Sequence, residues 1–356
     1  MIERYTRVRG CLLGGAVGDA LGAPVEFLSL VDTRRYFGPD GISDYAPAYG
    51  RRGAITDDTQ MTLFTAEGLL RAWVRMRLKG VCSIQGVVHH AYLRWLLTQD
   101  ERPNRSDLEI GTDGWLFGVQ ALHSRRAPGN TCLAALRAVN SFGLPEVARN
   151  RSKGCGGVMR AAPVGLFAPA VGTDDDVFDL AVKVAALTHG HPSGFLAAGH
   201  LAVTIAALLR GESPAAALDA ADARLQRRDG HQEVANAVAR ARALARSGRP
   251  APEKLETLGG GWVAEEALAI AVCCTLTATD FVTGVVAAAN HSGDSDSAAA
   301  ITGNLLGARF GELAIPPGWL AELELRDEIF QLADDLQAIA AGDVGSEAAW
   351  DRYPGW

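Results

Sequence analysis

No CxxC pair occurs among the six cysteines, Cys11, Cys82, Cys132, Cys155, Cys273 and Cys274. Their scatter gives neither a zinc ribbon nor a disulfide framework, and adjacent Cys273-Cys274 in an alanine-rich run reads as core filling. Thiols of this kind are expected to stay reduced in a cytoplasmic protein. Basic charge is also short, with 34 Lys and Arg against 41 Asp and Glu and a net charge of −7. Broad electrostatic binding to nucleic acid or anionic lipid needs the opposite balance. No unbroken apolar run reaches the roughly eighteen residues of a membrane span. The apolar stretch after Gly10 is interrupted by Asp19 and Glu26, unlike a signal peptide. No membrane partner is expected. Strand patterns are missing as well, since β-branched residues seldom alternate with polar ones over any length.

What the chain has instead is alanine and leucine at helical spacing. Arg4–Leu21, Val182–Thr188, Phe195–Leu209, Ala215–Leu225, Val234–Leu244, Ala264–Thr277 and Leu320–Ala340 read as helices. Gly, Pro, Asp and Asn collect between them, at Phe37–Gly53, Arg102–Gly114, Pro128–Thr131 and Ser247–Gly261. The expected fold is all-α, a single domain over residues 1–356, because the best linker candidate, Ser247–Pro252, is short and flanked by helical patterns. Glycines recur at spacing four in the first helix (Gly14, Gly18, Gly22) and again at Gly303, Gly307 and Gly311. Each costs a helix about 1 kcal/mol, so close approach of a neighbour is the expected return. The two helices are expected to pack together centrally and carry acidic loops to one mouth.

Those loops hold the chemistry. Thr56-Asp57-Asp58-Thr59 and Asp294-Ser295-Asp296-Ser297 each pack carboxylates and hydroxyls into four positions at the start of a helix. Acidic residues are ordinary helix starts, but two such clusters brought together would suit hard divalent cations, which want oxygen ligands. Ser152-Lys153-Gly154-Cys155-Gly156-Gly157 could free backbone amides to cradle an anion, although a plain tight turn fits it equally well. His189 and His191 lack the further ligands of a zinc site, so a ligand contact is the alternative to capping carbonyls. Glu26 follows a Gly-Ala-Pro turn, where a glutamate is ordinarily solvated. Gly259-Gly260-Gly261-Trp262 leads into a helix with a tryptophan that could wall a pocket. GxSxG and HExxH are absent from the sequence. The inventory of carboxylates, hydroxyls and a glycine loop fits metal-assisted hydrolysis of a polar substrate.

Five blocks in order carry a resemblance: Gly18-Asp19-Ala20-Leu21-Gly22-Ala23-Pro24-Val25-Glu26, Thr56–Thr59, Gly154–Arg160, Leu187-Thr188-His189 and Gly293–Ser297. In these the chain resembles the ADP-ribosylglycohydrolase family. The resemblance implies a compact all-α domain with two Mg²⁺ ions, or Mn²⁺, in a cleft. It implies Thr56, Asp57, Asp58, Asp294, Asp296 and Ser297 as metal ligands, with Asp296 bridging. It further implies Ser152, Lys153, Gly154, Cys155, Gly156 and Gly157 around the ADP-ribose pyrophosphate and adjoining ribose, with His189 nearby. Glu26 matches a mobile acidic residue that covers the metals in some members. Glu26, Asp57, Asp58 and Asp296 are the expected catalytic residues.

The implied activity is Mg²⁺-dependent cleavage of the bond at the ADP-ribose C1″ carbon, releasing it from a modified acceptor, with protein arginine favoured. The expected partner is an ADP-ribosylated protein or a small-molecule ADP-ribose conjugate, with nucleic acid entering only as a modified substrate. Two alternatives stand beside it, a di-metal phosphohydrolase of the same substrates and a catalytically silent ADP-ribose binder. The chain departs from relatives at three positions: Cys155 replaces the Asn of several, Lys153 an aromatic residue, and Ser297 the threonine of some.

Overall fold

The computed structural model describes residues 2–105, 107–141, 147–342 and 351–354. α-Helices and short 3₁₀ turns make up its regular structure. Among the described residues the only β pairings are two isolated bridges, Ala48 with Arg51 and Gly154 with Val263. One continuous apolar core runs from Val8 to Tyr353 and takes in side chains from nearly every long helix.

At its centre the Arg4–Gly22 helix lies antiparallel against the Ser295–Phe310 helix. The glycine spacing explains how closely. Gly10 faces Gly307, Gly14 faces Gly303, Gly18 faces Ala299, and Gly22 faces Asp296. A Cβ at Gly10 would stand 2.5 Å from the Gly307 carbonyl oxygen, and one at Gly22 would stand 2.5 Å from the Asp296 nitrogen. Real side chains do not survive such distances, so backbone-to-backbone contact is the return on the helix propensity lost at these glycines. The last rung matters for function, because it sets the C-terminal end of the first helix against Asp296 in the first turn of the second acidic cluster's helix.

Most of the expected helices form within a residue or three of the expected ends. Two do not. The helix expected at Val182–Thr188 spans Asp174–Ala185, because Thr173 and Asp176 make a reciprocal capping box that starts it earlier. The helix expected over Leu320–Ala340 is two, Pro317–Glu322 and Arg326–Ala341. Between them Leu325 adopts a left-handed φ of 58°. The break is fixed by Glu324, whose N–H donates to Gly53 O at 2.9 Å and whose carboxylate accepts from Ile55 N and pairs with Arg126.

Pro192–Leu209 is long and apolar enough to cross a membrane by length and hydropathy, but 89% of that window is buried inside the protein. Helices Asp174–Ala185 and Pro214–Leu225 pack along it. It is a core helix, and its apolar surface is covered by its neighbours.

Candidate functional site

Three chain segments converge where the first helix ends. The Asp57–Lys79 helix begins there, the Ser295–Phe310 helix begins there, and Val25–Phe27 turns over the top. Each helix start places acidic residues at the positive end of the helix dipole, which offsets part of their charge. Thr56 caps the first of these helices, accepting from Asp58 N at 3.2 Å.

Asp19, in the apolar interior of the first helix, is fully buried. Its carboxylate accepts from Thr56 N at 3.0 and 3.1 Å, from Thr59 N at 3.1 Å and from Thr59 Oγ1 at 2.5 Å. It therefore acts as a clamp on the first acidic cluster from beneath, away from the mouth. Asp57 is braced on the other side, where its Oδ2 accepts from Gly129 N at 3.2 Å and its N–H donates to Arg126 O at 3.0 Å.

Glu26, Asp294 and Asp296 each offer a carboxylate oxygen, and these oxygens lie within 4.8 Å of one another. All six expected metal ligands and Glu26 are buried, none more than 7% exposed. Glu26 Oε2, Asp58 Oδ1 and Asp296 Oδ1 are buried without a hydrogen-bond partner. Among the described residues no basic side chain forms an ion pair with Glu26, Asp57, Asp58, Asp294 or Asp296.

Burial, and then the charge of Asp296, push the Asp57 and Asp58 carboxyls well above the usual range, and Asp294 likewise. Burial with the charges of Asp296, Asp294, Asp57 and Asp19 raises Glu26 to about 10. Asp19 rises to about 7, mainly by burial and then by Asp296, while its hydrogen bonds to Thr59 and Thr56 hold it down. Unpaired buried carboxylates of this density are costly. The donor set is hard oxygen and lacks a positive charge, which is the chemistry a divalent cation completes.

The glycine loop sits beside this cluster. Cys155–Gly157 forms a 3₁₀ turn, and the loop is zipped to the Trp262 segment by Cys155 N to Trp262 O at 3.2 Å and Ala264 N to Lys153 O at 2.8 Å. Gly154 N donates to Ser152 Oγ at 3.2 Å. Two of the amides thought of as an anion cradle are therefore engaged inside the protein. The glycines are also needed for packing: a Cβ at Gly156 would stand 2.8 Å from Cys132 Sγ, and one at Gly157 would stand 2.6 Å from Gly194 O.

The other loop residues take varied places. Lys153 reaches Glu233 Oε2 at 2.6 Å and also pairs with Glu265. Cys155 Sγ donates to Asp294 Oδ2 at 2.8 Å, so this thiol supports the acidic cluster. His189 is buried under the loop with Nε2 3.3 Å from where a Gly154 Cβ would stand. Burial, helped by the Arg160 charge, lowers it to about 3 and keeps it neutral. Its Nδ1 lies 2.8 Å from Thr188 Oγ1, which also accepts from Arg160 at 2.7 Å. His191 is spoken for locally, with Nδ1 accepting from Ser193 N at the next helix start.

Phe27 and Trp262 stack at the rim, centroids 5.9 Å apart and planes 22° from parallel, both exposed. Tyr49 is exposed as well, with a left-handed φ of 48° and the Arg126 guanidinium 4.9 Å from its ring centre.

From sequence, Asp19 is a spare carboxylate that could meet a guanidinium at the mouth. The structure instead buries it fully, with its oxygens accepting from Thr56 and Thr59. Sequence reasoning left out the Arg126–Glu324 pair behind Ile55. An aspartate amid the apolar residues of the first helix was the available signal for Asp19. Nothing local marks Arg126 and Glu324, which are 198 residues apart and meet only in the fold.

A family model described as ADP-ribosylglycohydrolase matches residues 1–344. The ADP-ribosyl-[dinitrogen reductase] glycohydrolase of Rhodospirillum rubrum is 26% identical, over 95% of this chain and 98% of its own length. An ADP-ribosylarginine hydrolase of Serratia proteamaculans is 25% identical, over 95% of this chain and 81% of its own. Among solved structures, one titled ADP-ribosylglycohydrolase-related protein complex superimposes with a TM-score of 0.68 at 28% identity, over 96% of this chain and 100% of that one. With the match running almost end to end, the chain belongs to the ADP-ribosylglycohydrolase family, enzymes that hydrolyse a glycosidic bond.

Proposed function

We propose that this protein is a Mg²⁺-dependent hydrolase that releases ADP-ribose from modified protein arginine by cleaving the bond at C1″. The observation that carries the reading is three buried oxygens without partners on neighbouring carboxylates, Glu26 Oε2, Asp58 Oδ1 and Asp296 Oδ1. Thr56, Asp57, Asp58, Asp294, Asp296 and Ser297 would hold two Mg²⁺ ions, with Mn²⁺ as a substitute. When bound, the ions would supply Lewis acidity and positive charge to orient the sugar hydroxyls and favour water as the nucleophile.

The chain's own groups would do the rest. Asp57, Asp58 and Asp296 would hold the ions whose positive charge orients sugar and water, and the carboxylates around the sugar would favour an oxocarbenium-like transition state. Glu26, in the turn over the cluster and the most exposed of its carboxyls, moves the proton between water and the leaving acceptor. His189, neutral and fixed by Thr188, presents Nε2 toward the substrate side of the glycine loop. Lys153 is committed to Glu233 and Glu265, so we assign the nucleoside face to the exposed Phe27–Trp262 pair. Arginine is favoured because the mouth is acidic, and a guanidinium forks onto carboxylates as a serine ether does not. The arginine hydrolase among the relatives supports the same choice.

The test is incubation with arginine-, serine- and nucleic-acid-linked ADP-ribose in Mg²⁺, followed by product identification. Free ADP-ribose, released fastest from arginine, is the expected result. Faster release from serine overturns the acceptor assignment. AMP as product would make the protein a phosphohydrolase, and no product at all would make it a binder.

A further inference from the structure

Two sulfurs border the acidic cluster. Cys155 Sγ lies 2.8 Å from Asp294 Oδ2, and Ser297 Oγ lies 3.6 Å from Cys155 Sγ and 4.0 Å from Met159 Sδ. Asp294 thus faces Glu26 and Asp296 oxygens on one side and a thiol on the other. The unpartnered and buried Asp296 Oδ1 and Glu26 Oε2 show independently that this spot lacks a counter-ion. Hydrolysis assisted by Mg²⁺ has no use for sulfur, because hard cations select oxygen.

Borderline-soft cations do take sulfur. With Zn–S near 2.3 Å and Zn–O near 2.1 Å, a tetrahedral ion separates its S and O ligand atoms by about 3.6 Å. Cys155 Sγ and Ser297 Oγ already stand at that separation. The Cys155–Asp294 gap would have to open by only about 0.8 Å, the difference between that chord and the distance observed.

We propose that the protein binds a thiophilic divalent cation, Zn²⁺ in kind, through Cys155, Asp294 and Ser297 with Met159 alongside, in competition with Mg²⁺. The step breaks the Cys155 S–H bond, forms a sulfur–metal bond and releases one proton to solvent, with no change of oxidation state. A site with this soft flank would be held inactive by such a cation until Mg²⁺ displaced it. The competition rests on the reading above that the acidic cluster holds divalent cations.

Cd²⁺ is the probe, because its thiolate bond has an ultraviolet charge-transfer band that needs no turnover. Metal-stripped full-length protein titrated with Cd²⁺ should develop the band to saturation, and excess Mg²⁺ should move the midpoint to higher Cd²⁺. Cys155→Ser should abolish the band and weaken Cd²⁺ binding by about 10- to 100-fold, the range seen when a metal site loses a supporting group. Met159→Leu should weaken it less. Circular dichroism checks folding, with Cys155→Ala as a second variant. An unchanged band in both Cys155 variants, or a band indifferent to Mg²⁺, overturns the proposal. The Mg²⁺-induced rise in melting temperature of the unmodified protein is recorded alongside. If that rise is present without a Cys155-dependent band, this inference fails alone; if the rise is absent, the divalent-cation reading of the cluster fails.

Discussion

Glu67 and Arg94 lie on neighbouring helices, both buried, with Oε2 and Nη2 2.8 Å apart. Arg126 and Glu324, both in loops, pair likewise behind Ile55, at 3.1 Å. Glu26, Asp58 and Asp296 are buried to a similar degree and face the charges of other carboxylates instead. Where the fold supplies its own counter-charge, breaking the pair leaves a lone buried ion, so those residues hold the structure. Where it withholds one, the buried carboxylates carry a cost that the proposed cations would relieve. The contrast separates residues that hold the architecture from those the proposed function assigns to chemistry, although burial alone would rank them together.

The largest expected effect lies on the unpaired side. Asp57→Asn or Asp296→Asn should cut ADP-ribose release by on the order of 10³-fold, comparable to removing a principal electrostatic group from an active site. EDTA should do the same. The metal-free Asp296→Asn protein should melt about 2–4 °C higher than the unmodified one, since a charge that raises every neighbouring carboxyl is gone. Full turnover in excess chelator, with metal removal verified, would end the metal reading. A lower melting point would place Asp296 with the structural pairs.

Next comes the paired side. Glu67→Gln should cost about 3–5 kcal/mol in denaturant unfolding by stranding Arg94, with turnover per folded molecule kept. Loss of turnover without loss of stability would erase the distinction. Gly303→Ala probes the helix contact that joins the two regions. Its Cβ would run into the Gly14 backbone, and the expected cost is about 3 kcal/mol, the upper range of core overpacking.

A smaller effect is the pH dependence of the metal-free protein. Asp19 and Glu26 bind protons more tightly folded than unfolded, with folded values of about 7 and about 10. Stability from them is present below their ordinary values near pH 4 and is lost as pH rises through the folded ones. Melting temperature without metal should therefore fall from pH 5.5 to 8.5, and the rise produced by Mg²⁺ should be larger at the higher pH. A flat profile would mean the carboxylates have partners in solution. The smallest change is expected from Lys153→Met, whose ammonium is held by two glutamates at the surface side of the loop; ADP-ribose binding by calorimetry should shift several-fold at most.

Much of this was legible in order along the chain. Glycines at spacing four in two helices announced a close crossing, and the two hydroxyl-acid clusters at helix starts do come together at one place in the fold, because both signals are local patterns that the crossing aligns. The helix break at Leu325 was not legible. Leu320–Ala340 has continuous helical periodicity, and the break comes from Glu324 serving Gly53, Ile55 and Arg126, which are remote in sequence. The role of Cys155 was equally hidden, because a thiol in a glycine loop gives no sign that it will face Asp294, 139 residues away.

The sequence by itself determined the helical class, the glycine-bearing faces and the two clusters of oxygen-bearing side chains, since propensity, periodicity and functional-group chemistry act within a few residues. Tertiary structure decided which carboxylates received a basic partner and which did not. Arg94 for Glu67 and Arg126 for Glu324 are assigned by packing across the core, and Asp19 is drawn into a clamp because its helix ends under Thr56. Charge pairing depends on distances between segments far apart in the chain, and only the fold sets those distances.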